Sequence, residues 1–238
     1  MNLGGMVLQK SEIIRNSKED ELFVQCANIV MTEINRLALE KEYITLGLVG
    51  GRSVAKIYEL LSKKKSKSWM KVQFFLVDER NVPNNDSESN FLLMQVHLTN
   101  ELLARKQISI NNIHPIIKNI DPNLATKQYA LELEKYGDCF DIVVLSSGED
   151  NHVGAIFPQK KYSAVEKFTY FNDSPKLPKE RFTATPKLLS MSKLGIVIFL
   201  GASKKNALNH FLDESSKKTI PEKVLQKIEK LIILTDQQ

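Results

Sequence analysis

Four times along this chain, a short apolar run stops at glycine, serine or an acidic residue, and a polar turn follows. Residues 43–49 run into Gly50-Gly51-Arg52-Ser53, and 72–77 into Asp78-Glu79-Arg80. Residues 142–145 run into Ser146-Ser147-Gly148, and 195–200 into Gly201-Ala202-Ser203-Lys204. Runs of this length bounded by turn residues suit buried strands. Segments of helical period lie between them. Residues 18–40 carry apolar side chains at Leu22, Phe23, Cys26, Ile29, Val30, Ile34 and Leu37. Further helices are expected at 54–64, 90–103, 124–136, 186–193, up to residue 212, and at 221–228. Asp121-Pro122 caps the 124–136 helix and Gly137 stops it. Weaker strands are expected at 113–116, 181–185 and 231–234, with a proline-containing loop at 175–180.

Strands that alternate with helices imply a mostly parallel sheet with helices on both faces, because parallel neighbours need a crossover connection. The expected architecture is therefore α/β. It is a single three-layer, Rossmann-like domain over residues 1–238, with no internal repeat and no linker. In such open sheets, ligands bind at the carboxyl ends of the strands. The four polar turns should meet there.

The segment from Phe140 to Pro158 is the richest in chemistry. Its strand ends in Gly148-Glu149-Asp150-Asn151-His152 before Ala155-Ile156-Phe157-Pro158 returns to apolar. A lone histidine is ordinarily a surface or satisfied side chain. Asp150, two residues before, changes that reading, because a carboxylate beside an imidazole fixes its tautomer and favours its charged form. That arrangement makes a general base. The glycine turns entering helices can present backbone N–H groups to an anion. Arg52, Arg80 and Lys204 add charge, arginine through paired hydrogen bonds and lysine as a point charge. The convergence points to a phosphorylated small molecule acted on by a base, and leaves the reaction open.

Composition excludes several classes. The chain of 238 residues is 42% hydrophobic and 26% charged, as in ordinary globular proteins. Its net charge of +5 comes with scattered lysine runs (Lys63-Lys64-Lys65, Lys160-Lys161, Lys217-Lys218) and no nucleic-acid motif. Nucleic acid is therefore not expected as a partner, though a basic surface draws anionic substrates inward. Cys26 and Cys139 are too few for a disulfide framework and read as buried thiols. Four histidines suggest no metal cluster, and no cofactor is implied. No secretory signal and no membrane-spanning run is seen, so the expected location is the cytoplasm.

These turns, taken together, resemble a known family. Gly50-Gly51-Arg52-Ser53, Asp78-Glu79-Arg80-Asn81-Val82-Pro83 with Ser89-Asn90, and Gly148 to His152 with Ile156-Phe157-Pro158 carry the likeness. So do Arg181-Phe182-Thr183-Ala184-Thr185 and Gly201-Ala202-Ser203-Lys204. They resemble the glucosamine-6-phosphate isomerase/6-phosphogluconolactonase family, in order from about residue 20 to the C-terminus. The resemblance implies a fold like that of the deaminases and ribose-5-phosphate isomerase. It also implies hydrolysis of 6-phospho-D-glucono-1,5-lactone to 6-phosphogluconate in the oxidative pentose phosphate pathway. Implied roles are His152 as base, Asp150 as its orienter, and Arg80, Lys204 and the 50–53 turn on the phosphate. Asp78 and Arg181 belong to the substrate-binding set, with Arg181 or glycine-turn N–H groups facing the developing oxyanion. The implied partner is the small phosphorylated lactone, with the chain a monomer or weak homo-oligomer and no nucleic acid or membrane involved.

The likeness has departures. Asn151 stands where the family usually has glycine, Val153 and Ala155 replace hydroxyl residues, and Val54 replaces a helix-opening proline. Asparagine tolerates a left-handed backbone, so the turn is expected to survive at Asn151. Two other readings stay open. One is a glucosamine-6-phosphate deaminase-like enzyme, disfavoured by Arg80 and by Phe157-Pro158. The other is a phosphosugar sensor without catalysis, motivated by Asn151, Val153 and Ala155.

Overall fold

The computed structural model describes residues 11–238. Seven strands form one sheet in the order β1–β10–β9–β6–β2–β3–β5, and every neighbouring pair is parallel. They are β1 (Ser11–Arg15), β2 (Ile44–Leu48), β3 (Val72–Leu76), β5 (Ile113–His114), β6 (Ile142–Ser146), β9 (Leu194–Phe199) and β10 (Lys230–Thr235). Every residue of β2, β3 and β9 is buried. Successive side chains of a strand point to opposite faces, so the sheet is covered on both. The core runs the length of the sheet and includes Trp69, Tyr58, Phe74, Phe75 and Phe140.

The covering helices are α1 (Glu19–Leu37), α2 (Arg52–Ser62), α3 (Asn90–Met94), α4 (Asn100–Ala104), α5 (Pro122–Glu134), α6 (Pro186–Ser190), α7 (Lys205–Leu212) and α8 (Ile220–Lys227). The helix expected over 90–103 is continuous but contains a π-turn at Gln95–Thr99 between α3 and α4, where it packs on α2. The helix expected over 186–193 stops at Ser190. Asp121 caps α5 as expected, accepting from the N–H groups of Asn123 and Leu124 at 3.0 Å each.

The chain order explains where the site sits. From β2 the chain moves outward through β3 to β5, then returns to place β6 on the other side of β2 and continues to β9 and β10. The strand order reverses between β2 and β6. Their carboxyl ends diverge there into a crevice, the usual ligand position in an open α/β sheet.

A second, antiparallel sheet departs from the expectation. β4 (Asp78–Arg80), β8 (Arg181–Ala184) and β7 (Phe168–Phe171) pair in the order β4–β8–β7. The acidic-arginine triplet is a strand of its own beyond β3, and it sets Arg80 directly opposite Arg181. β1 and β7 were not expected from sequence. β1 is an edge strand with Glu12 and Ile13 exposed, so it lacks the apolar pattern of a buried strand. Cys26 is fully buried as expected, whereas Cys139 is only half-buried, three residues before β6.

Candidate active site

A cavity of about 470 Å³ opens at the carboxyl ends of β2, β6 and β9, beside the small sheet. Its wall includes Gly50, Gly51, Arg52, Ser53, Asp78, Arg80, His152, Arg181 and Lys204. Asp150 is the one expected site residue outside the wall; it stands behind His152. Four polar turns far apart in sequence therefore meet as expected. The structure adds Lys176 and Leu177 from the proline-containing 175–180 loop.

The first turn is built by Gly51, whose φ of 123° is closed to side-chain-bearing residues. It releases the chain from β2 into α2, which begins at Arg52 with no acidic residue in its first turn and no side-chain cap. The N-terminal N–H groups of α2 face the cavity with a partial positive charge. The proline expected by resemblance at position 54 is not needed for this, since the helix already starts at Arg52.

In β4 the alternation of a strand sorts three ionisable residues. Glu79 points away from the cavity and is wholly buried. It accepts from Arg80 N at 2.7 Å, Asn90 N at 2.8 Å, and Phe91 N, Ser89 Oγ and Lys118 Nζ at 3.0 Å. One carboxylate thus caps α3 and pins the strand. Asp78 and Arg80 face the other way. Asp78 is 5% exposed, and its Oδ1 has no hydrogen-bond partner among the described residues. Burial pushes its carboxyl above the ordinary range, opposed by Arg80 and Arg181. Arg80 Nη1 donates to Glu88 O, while its buried Nε has no partner among the described residues. An unsatisfied buried donor and acceptor side by side are costly unless a ligand completes them.

The third turn carries His152. Its Nδ1 lies 2.5 Å from Asp150 Oδ1. The Asp150 carboxyl is half-buried, which alone would raise it. The hydrogen bond and charge of His152, then the charge of Lys176, outweigh burial and hold it well below the usual carboxylate range. An ionised carboxylate only accepts, so Nδ1 carries the proton and Nε2 is the basic nitrogen. No hydrogen bond to Nε2 occurs among the described residues. The ring sits so close to the turn that a Cβ on Gly148 would fall 2.0 Å from Nδ1, so a side chain at 148 would push the imidazole out of place. Phe157 backs the ring with centroids 5.0 Å apart.

The departures at 151, 153 and 155 leave this loop intact. Asn151 adopts φ 66°, as expected. Val153 and Ala155 are buried, and the loop is closed by its backbone: Gly148 N to His152 O at 2.7 Å and Ile156 N to Val153 O at 3.0 Å. Tyr162, not expected from sequence, accepts from Phe157 N at 2.5 Å and donates to Ala155 O at 3.0 Å.

Arg181 lines the cavity but is partly engaged. Its Nε and Nη2 donate to Pro178 O at 2.9 Å and Leu177 O at 2.7 Å. Lys204 stands at the start of α7, and burial lowers its ammonium, with Glu149 opposing. A cationic crevice with an oriented imidazole on one wall can hold an anion and accept a proton from a nearby nucleophile.

The family model described as glucosamine-6-phosphate isomerases/6-phosphogluconolactonase matches residues 17–233. The chain belongs to this family. It is 36% identical over 199 residues to the 6-phosphogluconolactonase of Borreliella burgdorferi, covering 82% of this chain and 84% of that one. It is 31% identical over 188 residues to the 6-phosphogluconolactonase of Thermotoga maritima, covering 78% and 82%. Across the whole fold it superposes on the crystal structure of 6-phosphogluconolactonase from Thermotoga maritima with a TM-score of 0.79 and 27% identity, over 94% of this chain and 98% of that one. The expected fold and family are both borne out. No helix among the described residues is long and apolar enough to cross a membrane.

Proposed function

We propose that this protein hydrolyses 6-phospho-D-glucono-1,5-lactone to 6-phosphogluconate, the step of the oxidative pentose phosphate pathway that its lactonase relatives are named for. The observation that carries the chemistry is His152. Its Nδ1 is held by Asp150, and its free Nε2 belongs to a ring on the wall of a cationic cavity. Nε2 takes a proton from water as the water oxygen bonds to the lactone carbonyl carbon. Charge grows on the carbonyl oxygen, where N–H groups of the glycine turns or the Arg181 guanidinium stabilise it. The bond from that carbon to the ring oxygen then breaks, and the imidazolium returns its proton to the leaving oxygen. Asp150 orients the imidazole and supports its charged form.

The phosphate lies against Arg80, Lys204, Arg52 and the N-terminus of α2, including Gly50, Gly51 and Ser53. Arg80 Nε supplies a donor in want of an acceptor. Asp78, an acceptor among arginines, suits sugar hydroxyls better than phosphate. We further read residues 1–238 as one domain acting in the cytoplasm, as a monomer or weak homo-oligomer, using only its own side chains and backbone.

The test is loss of 6-phosphogluconolactone, corrected for spontaneous hydrolysis. The expected result is lactone hydrolysis well above background, and no turnover of glucosamine 6-phosphate. Turnover of the amino sugar would favour the deaminase reading. Phosphosugar binding with no rate above background would favour a sensor.

A further inference from the structure

The 172–180 loop delivers a cation that the reading above does not use. Ser174, wholly buried, anchors the loop: its N–H donates to Lys179 O at 3.1 Å, and its Oγ accepts from Lys176 N at 3.2 Å. On the far side of Lys176, the Arg181 guanidinium grips the carbonyls of Leu177 and Pro178. Held on both sides, the loop carries Lys176 Nζ to 3.3 Å from Asp150 Oδ1. That is the same oxygen that accepts from His152 Nδ1.

Asp150 needs such support. Its side chain is 37% exposed, in a turn where the next residue has a left-handed backbone. Water competes for an exposed carboxylate, and a rotation of Asp150 would release the imidazole. With Lys176 on the same oxygen, that rotation breaks two charged contacts at once.

We propose that Lys176 is a positioning residue that acts through Asp150 on His152, with Arg181 holding the loop that presents it. The inference rests on the reading of His152 as the base. It differs from a phosphate-binding role, which would put the ammonium on the substrate rather than on Asp150. It also assigns part of Arg181 to the loop rather than to the ligand.

The test is a cycle of variants in the full chain: Lys176→Met, Lys176→Arg, Asp150→Asn and the double variant Asp150→Asn/Lys176→Met. Each is followed by kcat and KM for the lactone and by thermal melting. Lys176→Gln serves as a second neutral variant should the methionine protein melt early. A half-exposed ion pair is worth little, so Lys176→Met should lower kcat about two- to fivefold and leave KM within about twofold. Lys176→Arg should restore most of the loss. In the Asp150→Asn background the Lys176 change should add nothing, because its partner charge is gone.

An equal loss in both backgrounds, a raised KM with unchanged kcat, or wild-type kinetics would each overturn the proposal. The two readings fail separately. A fully active His152→Ala would remove the base itself. An inactive His152→Ala beside a wild-type Lys176→Met would remove only the role of Lys176.

Discussion

His152 and His114 are built alike at one nitrogen and differently at the other. Each presents Nδ1 to a carboxylate, Asp150 at 2.5 Å and Glu132 at 3.2 Å. His114 has its second nitrogen taken up by the side-chain amide of Gln73, 2.8 Å away. Its ring lies flat on Phe75, with centroids 4.4 Å apart and planes 10° from parallel. His152 leaves Nε2 free beside a cationic cavity. The other two histidines repeat the pairing, His97 with Glu59 at 3.1 Å and His210 with Glu222 at 2.6 Å. All four histidines thus have a carboxylate partner, so the pair does not by itself make a base. What separates His152 from the other three is its place on the wall of the cavity at the strand ends, where an anion can bind beside its unbonded Nε2. His114 spends the same chemistry on holding the β5 edge of the sheet.

The comparison can be broken most directly at His152. His152→Asn should lower kcat about 10²–10⁴-fold, the range of a positioned general base. Its melting temperature and its affinity for 6-phosphogluconate should stay near wild type. A near-normal kcat in the folded variant would dissolve the distinction, and Asp150 or Glu149 would be next in line to activate water.

His114→Ala should do the opposite, costing about 2–3 kcal/mol of stability with kcat within about twofold. The gap should depend on pH. Burial lowers the pKa of His114, with Glu132 opposing, so the folded state keeps it neutral where the unfolded chain takes a proton. Stability from this group is therefore lost as pH falls through the unfolded value of about 6.5. Urea unfolding of wild type and variant should show the two curves converging between neutral and mildly acid pH. A gap that widens instead would mean His114 is charged in the fold.

Smaller effects sharpen the site side. Arg80→Ala should raise KM at least about tenfold and change saturated turnover much less, since a charge-assisted hydrogen bond contributes roughly 1.5–3 kcal/mol. A lower kcat at normal KM would move Arg80 to the reacting carbonyl. Asp150→Asn should lower kcat about tenfold at unchanged KM. It leaves the base in place and removes the carboxylate that fixes its tautomer and orientation. If its loss equalled that of His152→Asn, the carboxylate would matter more than orientation.

The four strand-end turns were legible because each combines an apolar run with residues that end it for a stated reason. Asp150 and His152 were legible because two residues of a turn must lie close. Lys176, Lys118 and Tyr162 were not, since each acts across a distance that sequence does not encode. Lys176 sits in a loop whose course depends on Arg181, and Tyr162 reaches back to Phe157 and Ala155. Glu79 could be read as part of a motif, but not as the cap of α3.

By itself the sequence determined the parallel α/β sheet, most of its elements in chain order and the turns whose backbone geometry only glycine permits. These follow from periodicity and from steric limits on single residues. Tertiary structure decided that β4 leaves the main sheet to pair with β8, and so that Arg80 faces Arg181. It also decided which of the four carboxylate-paired histidines lies on the wall of the cavity. Pairing across a hundred residues and access to a cavity are properties of packed surfaces. No local pattern of residues carries them, because the same histidine beside the same carboxylate is a prop when covered and an available base when open.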